Sequence, residues 1–180
     1  MMPAKTTTQT FGLFLALALI VAAAPFLWSI QASAQTGGLA VGESMPPIEA
    51  AGWVNGPGPS ADDLKGKVVV VNGWFFLCRY CHEGAPALVE LYEKHGQRED
   101  VAFIGLADIP TTREEAEAFS SKYKITWPNA YGPRDRTFFG FDAKAFPAYW
   151  IIGRDGKVVW NSDSEREQSM SDALEQAVSS

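Results

Sequence analysis

The sequence predicts an α/β domain built on a central mixed β-sheet flanked by helices. Three observations carry this reading. Val68-Val69-Val70-Val71 is a run of four β-branched residues, and Val101–Ala107 is a second apolar run; both read as strands buried on two faces. Each is followed by apolar residues at helical spacing. Tyr149–Ile152 and Lys157–Trp160 flank Gly153-Arg154-Asp155-Gly156. The Asp-Gly there suits a tight turn that needs positive φ, so the two segments form a hairpin. Strand–helix units with a terminal hairpin give a mixed sheet.

Taken in order, Ile48–Val54 is a short strand ahead of the main sheet, followed by the turn Asn55-Gly56-Pro57-Gly58-Pro59. Ser60-Ala61-Asp62-Asp63 has the form of a helix N-cap with an acid three residues on, and Lys65-Gly66-Lys67 ends that short helix. After Val68–Val71 comes Cys78-Arg79-Tyr80-Cys81, which opens a helix. In it Leu88, Leu91 and Tyr92 repeat at helical spacing up to about Gly96. Thr111-Thr112-Arg113-Glu114 has capping-box form, and Ala116, Phe119 and Tyr123 give the following helix an apolar face. Ser169–Val178 is the expected closing helix. No internal repeat is visible.

Apolar residues make up 47% of the 180 and charged residues 20%, a balance that supports a packed core and argues against disorder. The formal charge of -6 contains no long run of one sign, so no basic face for nucleic acid is visible. Residues 1–10 are polar with the single cation Lys5, and Phe11–Ile30 carries no charge. Ala32 and Ala34 then make an A-x-A site. The expected organisation is a signal peptide over 1–34, a Gly- and Ala-rich linker over 35–41, and one domain over 42–180. The apolar run, about 20 residues, is also long enough to remain as an uncleaved membrane anchor; Pro25 and the A-x-A site favour cleavage. Either way the domain is exported, periplasmic or extracytoplasmic, where disulfide chemistry is permitted. It meets a membrane only through the N-terminal segment, if that is uncleaved.

The chain has two cysteines, and they form one Cys-x-x-Cys pair directly after a buried strand and at the start of a helix. A helix N-terminus has unpaired N–H groups and a partial positive charge, which favour a thiolate over a thiol. Cys78 is therefore the expected acidic, exposed nucleophile. Cys81, about one turn inside the helix, is the expected resolving thiol. A cation at Arg79, roughly 6 Å from sulfur at an effective dielectric of about 20–40, would contribute on the order of 1.5–3 kcal/mol to the thiolate. A static structural bridge is poorly served by this position. A zinc site lacks a second ligand pair, so no metal is expected.

Val70-Val71-Asn72-Gly73-Trp74-Phe75-Phe76-Leu77-Cys78-Arg79-Tyr80-Cys81-His82-Glu83-Gly84-Ala85-Pro86 resembles the active-site stretch of TlpA/ResA-like thiol–disulfide oxidoreductases. These belong to the thioredoxin superfamily and its AhpC/TSA–Redoxin-like group. Asn72, Trp74, both cysteines and Pro86 match. The resemblance runs from about Gly42 to the C-terminus and includes Asp63-Leu64-Lys65-Gly66-Lys67 and Phe146-Pro147-Ala148-Tyr149. It implies a thioredoxin fold with an N-terminal extension strand and a segment inserted before a cis-proline at Pro147. That proline would face the cysteines and turn the Phe146 backbone toward a docked partner. It also implies dithiol–disulfide exchange with protein thiol or disulfide substrates, possible service as a reductase fed by a membrane thiol reductase, and no dissociable cofactor.

Three positions set the chain apart from the family pattern. Leu77 stands where Trp is usual and Tyr80 where Pro is common. Gly84 stands where a proton-moving acid is frequent, with Glu83 one position earlier. The candidate modulators are Arg79 for its charge, Tyr80, Trp74 beside the cysteines, and Glu83. Cys78-x-x-Cys81-His82 also matches a c-type haem attachment motif, an electron-carrier reading that the strand before it and the distal Phe-Pro-Ala oppose. A copper-binding thioredoxin-fold module is a third reading, with His82 and His95 as the only histidines. The Pro/Thr pattern ahead of a lone peroxidatic cysteine is absent.

Overall fold

In the computed structural model, which describes residues 38–108, 111–133 and 141–180, the strongest β-formers occupy the centre of a six-stranded sheet. Strand β1 (Ala50–Val54) and the one-turn helix α1 (Ala61–Leu64) precede β2 (Val68–Trp74). Helix α2 (Arg79–His95), β3 (Val101–Ala107) and α3 (Arg113–Tyr123) follow. Then come β4 (Asn129–Pro133), β5 (Ala148–Ile152), β6 (Val158–Asn161), a 3₁₀ turn (Ser162–Arg166) and the closing helix α4 (Met170–Ser179). The spatial order is β1-β4-β3-β2-β5-β6. β2, β3 and β4 run parallel, while β5, β6 and β1 pair antiparallel with their neighbours. The sheet is mixed, as the sequence implies, and the architecture is the thioredoxin fold.

Every residue of β2 is buried. Because successive side chains point to opposite faces, Val68 and Val70 enter one core cluster and Val69 and Val71 the other. The first cluster also takes Cys78, which precedes α2, Cys81, Ala85 and Leu88 from α2, Phe119 from α3 and Leu174 from α4. The second takes Phe141, Trp150, Ile152 and Leu39. Trp74, Trp127 and Trp150 are buried; Trp53 is half-buried.

At the end of the sheet where β2 and β3 begin, Arg154 joins three elements. Its guanidinium donates to Asp100 Oδ2 at 2.8 Å, Gly66 O at 3.3 Å and Val178 O at 3.3 Å. Residues 42–45 lie along β6: the Gly42 amide donates to Val158 O (2.8 Å), the Val158 amide to Glu43 O (2.8 Å), and the Met45 amide to Gly156 O (2.9 Å).

The structure differs from the sequence reading in three places. Strand β4 is not predicted by the sequence, since Asn129-Ala130-Tyr131-Gly132-Pro133 has no β-type alternation. It is a strand because β1 pairs along it on one side and β3 on the other. The capping box of α3 is Thr112–Glu115, not Thr111–Glu114. Thr111 is buried, and its hydroxyl accepts the Phe76 amide at 3.1 Å. The expected linker joins the fold from Gly38 onward: Leu39 is buried, its amide donates to Phe141 O and its carbonyl accepts from Asn161. Leu39 enters the core while Val41, two residues on, stays exposed. Residues 1–34, where a signal peptide or anchor is expected, lie outside the described residues. Among those described, no helix is long and apolar enough to cross a membrane.

Candidate functional site

The site forms where β2 ends and α2 begins. Cys78 has extended backbone (φ -75°, ψ 105°) and is the N-cap of α2. Its Sγ accepts the Cys81 amide at 3.0 Å, satisfying one of the N–H groups that a helix start leaves unpaired. The Cys78 carbonyl accepts the His82 amide at 3.2 Å, and the Cys78 amide donates to Phe75 O at 3.1 Å. The two sulfurs are bonded to each other, with Cα atoms 5.2 Å apart.

The expectation that Cys78 is exposed is corrected in this oxidised state. Cys78 is 5% exposed and Cys81 3%, because the N-cap geometry turns the Cys78 side chain back over the first helical turn. The exposure belongs to its neighbours: Leu77 is 78% exposed and Tyr80 66%. The buried disulfide thus has two projecting side chains, Leu77 and Tyr80, as close neighbours in sequence.

Arg79 and Glu83 form an i,i+4 ion pair, Nε to Oε1 at 2.7 Å, on the exposed face of α2. Arg79 faces a carboxylate in solvent, so its field at sulfur is opposed by Glu83 and screened by water. Trp74 is fully buried. It stacks on Phe119 with ring centroids 3.9 Å apart, and its indole N–H donates to Asn129 Oδ1 at 3.1 Å. It shares the core cluster with both cysteines.

The Phe146–Pro147 peptide is cis. The Phe146 ring meets Phe75 edge-on at 5.4 Å, and Ala148 pairs with Gly73. This places the segment beside the turn that carries Cys78. A side chain at position 84 would have its Cβ 3.0 Å from the Tyr149 hydroxyl, so a phenol covers the space beside Gly84.

His82 is the residue whose placement the sequence does not reveal. Its Nε2 lies 2.7 Å from Phe76 O and its Nδ1 2.9 Å from the Tyr123 hydroxyl. Both ring nitrogens are therefore engaged within the protein, which leaves neither directed at a haem iron. His95 stands 13 residues further along α2, about 20 Å away, buried at the far end, so the two histidines do not converge on one metal. Among the described residues, no group of three or more His, Cys, Asp or Glu side chains could hold a metal ion.

The family model described as "AhpC/TSA family" matches residues 41–161. Thiol-disulfide oxidoreductase ResA of Bacillus cereus is 32% identical over 97 residues, 54% of this chain and 55% of that protein. The chain thus spans about half the length of the curated relatives it matches. The thioredoxin domain of a thiol-disulfide oxidoreductase from Bacteroides vulgatus is similar with a TM-score of 0.60 at 23% identity, covering 69% of this chain and 89% of that one. A secreted disulfide oxidoreductase of Mycobacterium tuberculosis gives 0.57 at 22% identity, covering 69% and 94%. These structural likenesses establish the thioredoxin fold.

Proposed function

This chain belongs to the AhpC/TSA family, and from that membership we propose that it is an extracytoplasmic thiol–disulfide oxidoreductase exchanging its Cys78–Cys81 pair with protein partners. One observation carries the proposal: a Cys-x-x-Cys disulfide whose first sulfur caps a 17-residue helix, with exposed Leu77 and Tyr80 as its close neighbours in sequence.

In the reducing direction the Cys78 thiolate, favoured by the helix N-terminus, attacks one sulfur of a partner's disulfide. A mixed disulfide forms and the partner's other sulfur leaves as a thiolate, which takes up a proton. Cys81 then loses its proton and attacks Cys78 Sγ. The internal disulfide forms and the second partner thiol departs. Two electrons pass from the dithiol to the partner, and the reverse sequence oxidises a partner dithiol. Leu77, Tyr80 and the Phe146–Pro147 segment form the docking rim for an extended partner chain. A membrane thiol reductase would return the pair to the dithiol. Export is supported by the charge-free run Phe11–Ile30 and the A-x-A site at Ala32 and Ala34, and by the secreted relative.

Wild-type protein should reduce insulin disulfides with dithiothreitol as reductant. Cys78→Ser should abolish this, and Cys81→Ser should accumulate a mixed disulfide through Cys78. Activity surviving in Cys78→Ser would refute the mechanism. The midpoint potential of the pair assigns direction: near about -270 mV for a reductase, near about -120 mV for an oxidant. Cell fractionation with mass analysis of the mature N-terminus tests export and cleavage after Ala34.

A further inference from the structure

We propose that His82 is a positioning residue that holds the nucleophile's turn in register; the inference rests on the exchange function proposed above. The turn Phe75–Cys78 has little apolar anchorage at its tip, where Leu77 is 78% exposed. Phe75 and Phe76 pack against the core below it, and polar bonds to the Phe76 backbone fix its register. The Phe76 amide donates to the buried Thr111 hydroxyl at 3.1 Å, and the Phe76 carbonyl lies 2.7 Å from His82 Nε2.

A carbonyl only accepts, so Nε2 carries the hydrogen. In the neutral imidazole Nδ1 is then an acceptor, and the Tyr123 hydroxyl at 2.9 Å donates to it. The result is a directed chain, Tyr123 O–H to Nδ1 and Nε2–H to Phe76 O, in which each bond polarises the next. The ring is half-buried between Phe76, Phe119 and Tyr123, with centroids 5.0 to 6.1 Å away, and these aromatics limit competition from water.

The backbone amide of residue 82 makes the ordinary helical bond to Cys78 O at 3.2 Å. The imidazole bond to Phe76 O therefore adds a second tie on the other side of exposed Leu77, and it alone depends on the histidine side chain. A histidine that merely packed α2 against α3 would need only the Tyr123 bond. The ring bond to Phe76 instead ties the segment before the nucleophile to the helix that holds the resolving thiol. Holding Cys78 Sγ over the first turn of α2 raises the effective concentration of one sulfur at the other, which favours the closed disulfide and speeds resolution.

The test compares His82→Ala, His82→Gln, Tyr123→Phe and Arg154→Ala in the full domain. Each is read by equilibrium of the Cys78–Cys81 pair against glutathione and by kcat and KM for insulin reduction. His82→Ala should move the equilibrium about tenfold toward the dithiol and lower kcat about tenfold, the worth of one buried hydrogen bond, with KM little changed. His82→Gln, which can still donate to Phe76, should recover most of both. Tyr123→Phe should fall between and add nothing in the His82→Ala background. Arg154→Ala, at the other end of the sheet, should lower Tm without moving the equilibrium.

Wild-type values of equilibrium and kcat in His82→Ala would overturn the proposal, as would an equal shift in Arg154→Ala. Should wild type fail to act on protein disulfides while His82→Ala still shifts the glutathione equilibrium, the proposed function falls and the positioning role stands.

Discussion

Replacing Gly105 by alanine would drive a methyl group into the side chain of Asn129. The added Cβ would lie 1.6 Å from Asn129 Oδ1 and 2.4 Å from its Cγ. Asn129 cannot simply step aside. It is 1% exposed, its Oδ1 accepts the Trp74 indole N–H at 3.1 Å, and its Nδ2 donates to Trp127 O at 2.9 Å. Moving it breaks both bonds and leaves polar groups unpaired in the core, at about 1–3 kcal/mol each. We expect Gly105→Ala to destabilise the oxidised domain by about 4 kcal/mol in urea denaturation, or about 12 °C in Tm for a domain of this size. Asn129→Ala alone should cost about 2–3 kcal/mol, from the orphaned indole N–H and the space left. The double variant should be no worse than Asn129→Ala, because the new methyl enters the vacated space. The two substitutions would then be non-additive by about 4 kcal/mol. A loss below about 1 kcal/mol in Gly105→Ala, or simple additivity in the pair, would refute the placement of Asn129 between Trp74 and Trp127.

Three further outcomes follow. The Arg98 guanidinium, and after it Arg154, hold the Asp100 carboxyl well below its ordinary 3.8. A depressed folded-state value gives stability that is full above the unfolded value and is lost only as pH falls through the folded value, so Asp100→Asn should lower Tm above about pH 5, with the difference narrowing steadily as pH falls below about 4; a pH-independent difference would contradict the pairing. Burial pushes His95 below 6.5, with Lys94 and Arg98 in the same direction and Glu175 opposing. The unfolded chain therefore takes the proton first, and Tm should fall as pH drops below about 6.5; His95→Gln should flatten that slope, and an unchanged slope would exclude His95 as its source. Because Arg79 pairs with Glu83 in solvent, Arg79→Ala should shift the Cys78 thiol by less than about one pKa unit, followed by ultraviolet thiolate absorbance in the reduced protein; a rise beyond that would show the guanidinium acting on sulfur directly.

The parts legible in the sequence are those whose cause is local. Four consecutive valines have one good home, a doubly buried strand, and a Cys-x-x-Cys between that strand and a helical repeat fixes where the sulfurs lie. What the sequence hides depends on partners distant in the chain. Nothing in Asn129–Pro133 favours a strand until β1 and β3 flank it. Thr111–Glu114 and Thr112–Glu115 fit the capping pattern equally, and only the Phe76 amide, 35 residues before Thr111, decides which threonine faces inward. His82 reads as a bystander or a haem ligand until Phe76 and Tyr123, 6 and 41 residues away, are seen to hold its ring. Pro147 stands out only through resemblance, since no local pattern marks a cis bond. Arg79 is conspicuous in the sequence, but its partner one helical turn on redirects its charge.

The bonds between residues 42–45 and the start of β6 have a consequence for how the folded domain meets other copies of itself. β6 is the last strand of its sheet, with Val159 45% exposed upon it. A bare terminal strand is a template on which a second copy can add its own backbone. Gly42, Glu43 and Met45 take up Val158 and Gly156, so the chain occupies that template with its own leading segment. A maturation or proteolytic cut that leaves Gly42–Met45 in place keeps this guard; one a few residues further in removes it and opens a route to strand-to-strand polymers. The boundary at which the N-terminus can be trimmed is thereby set by self-association as much as by folding.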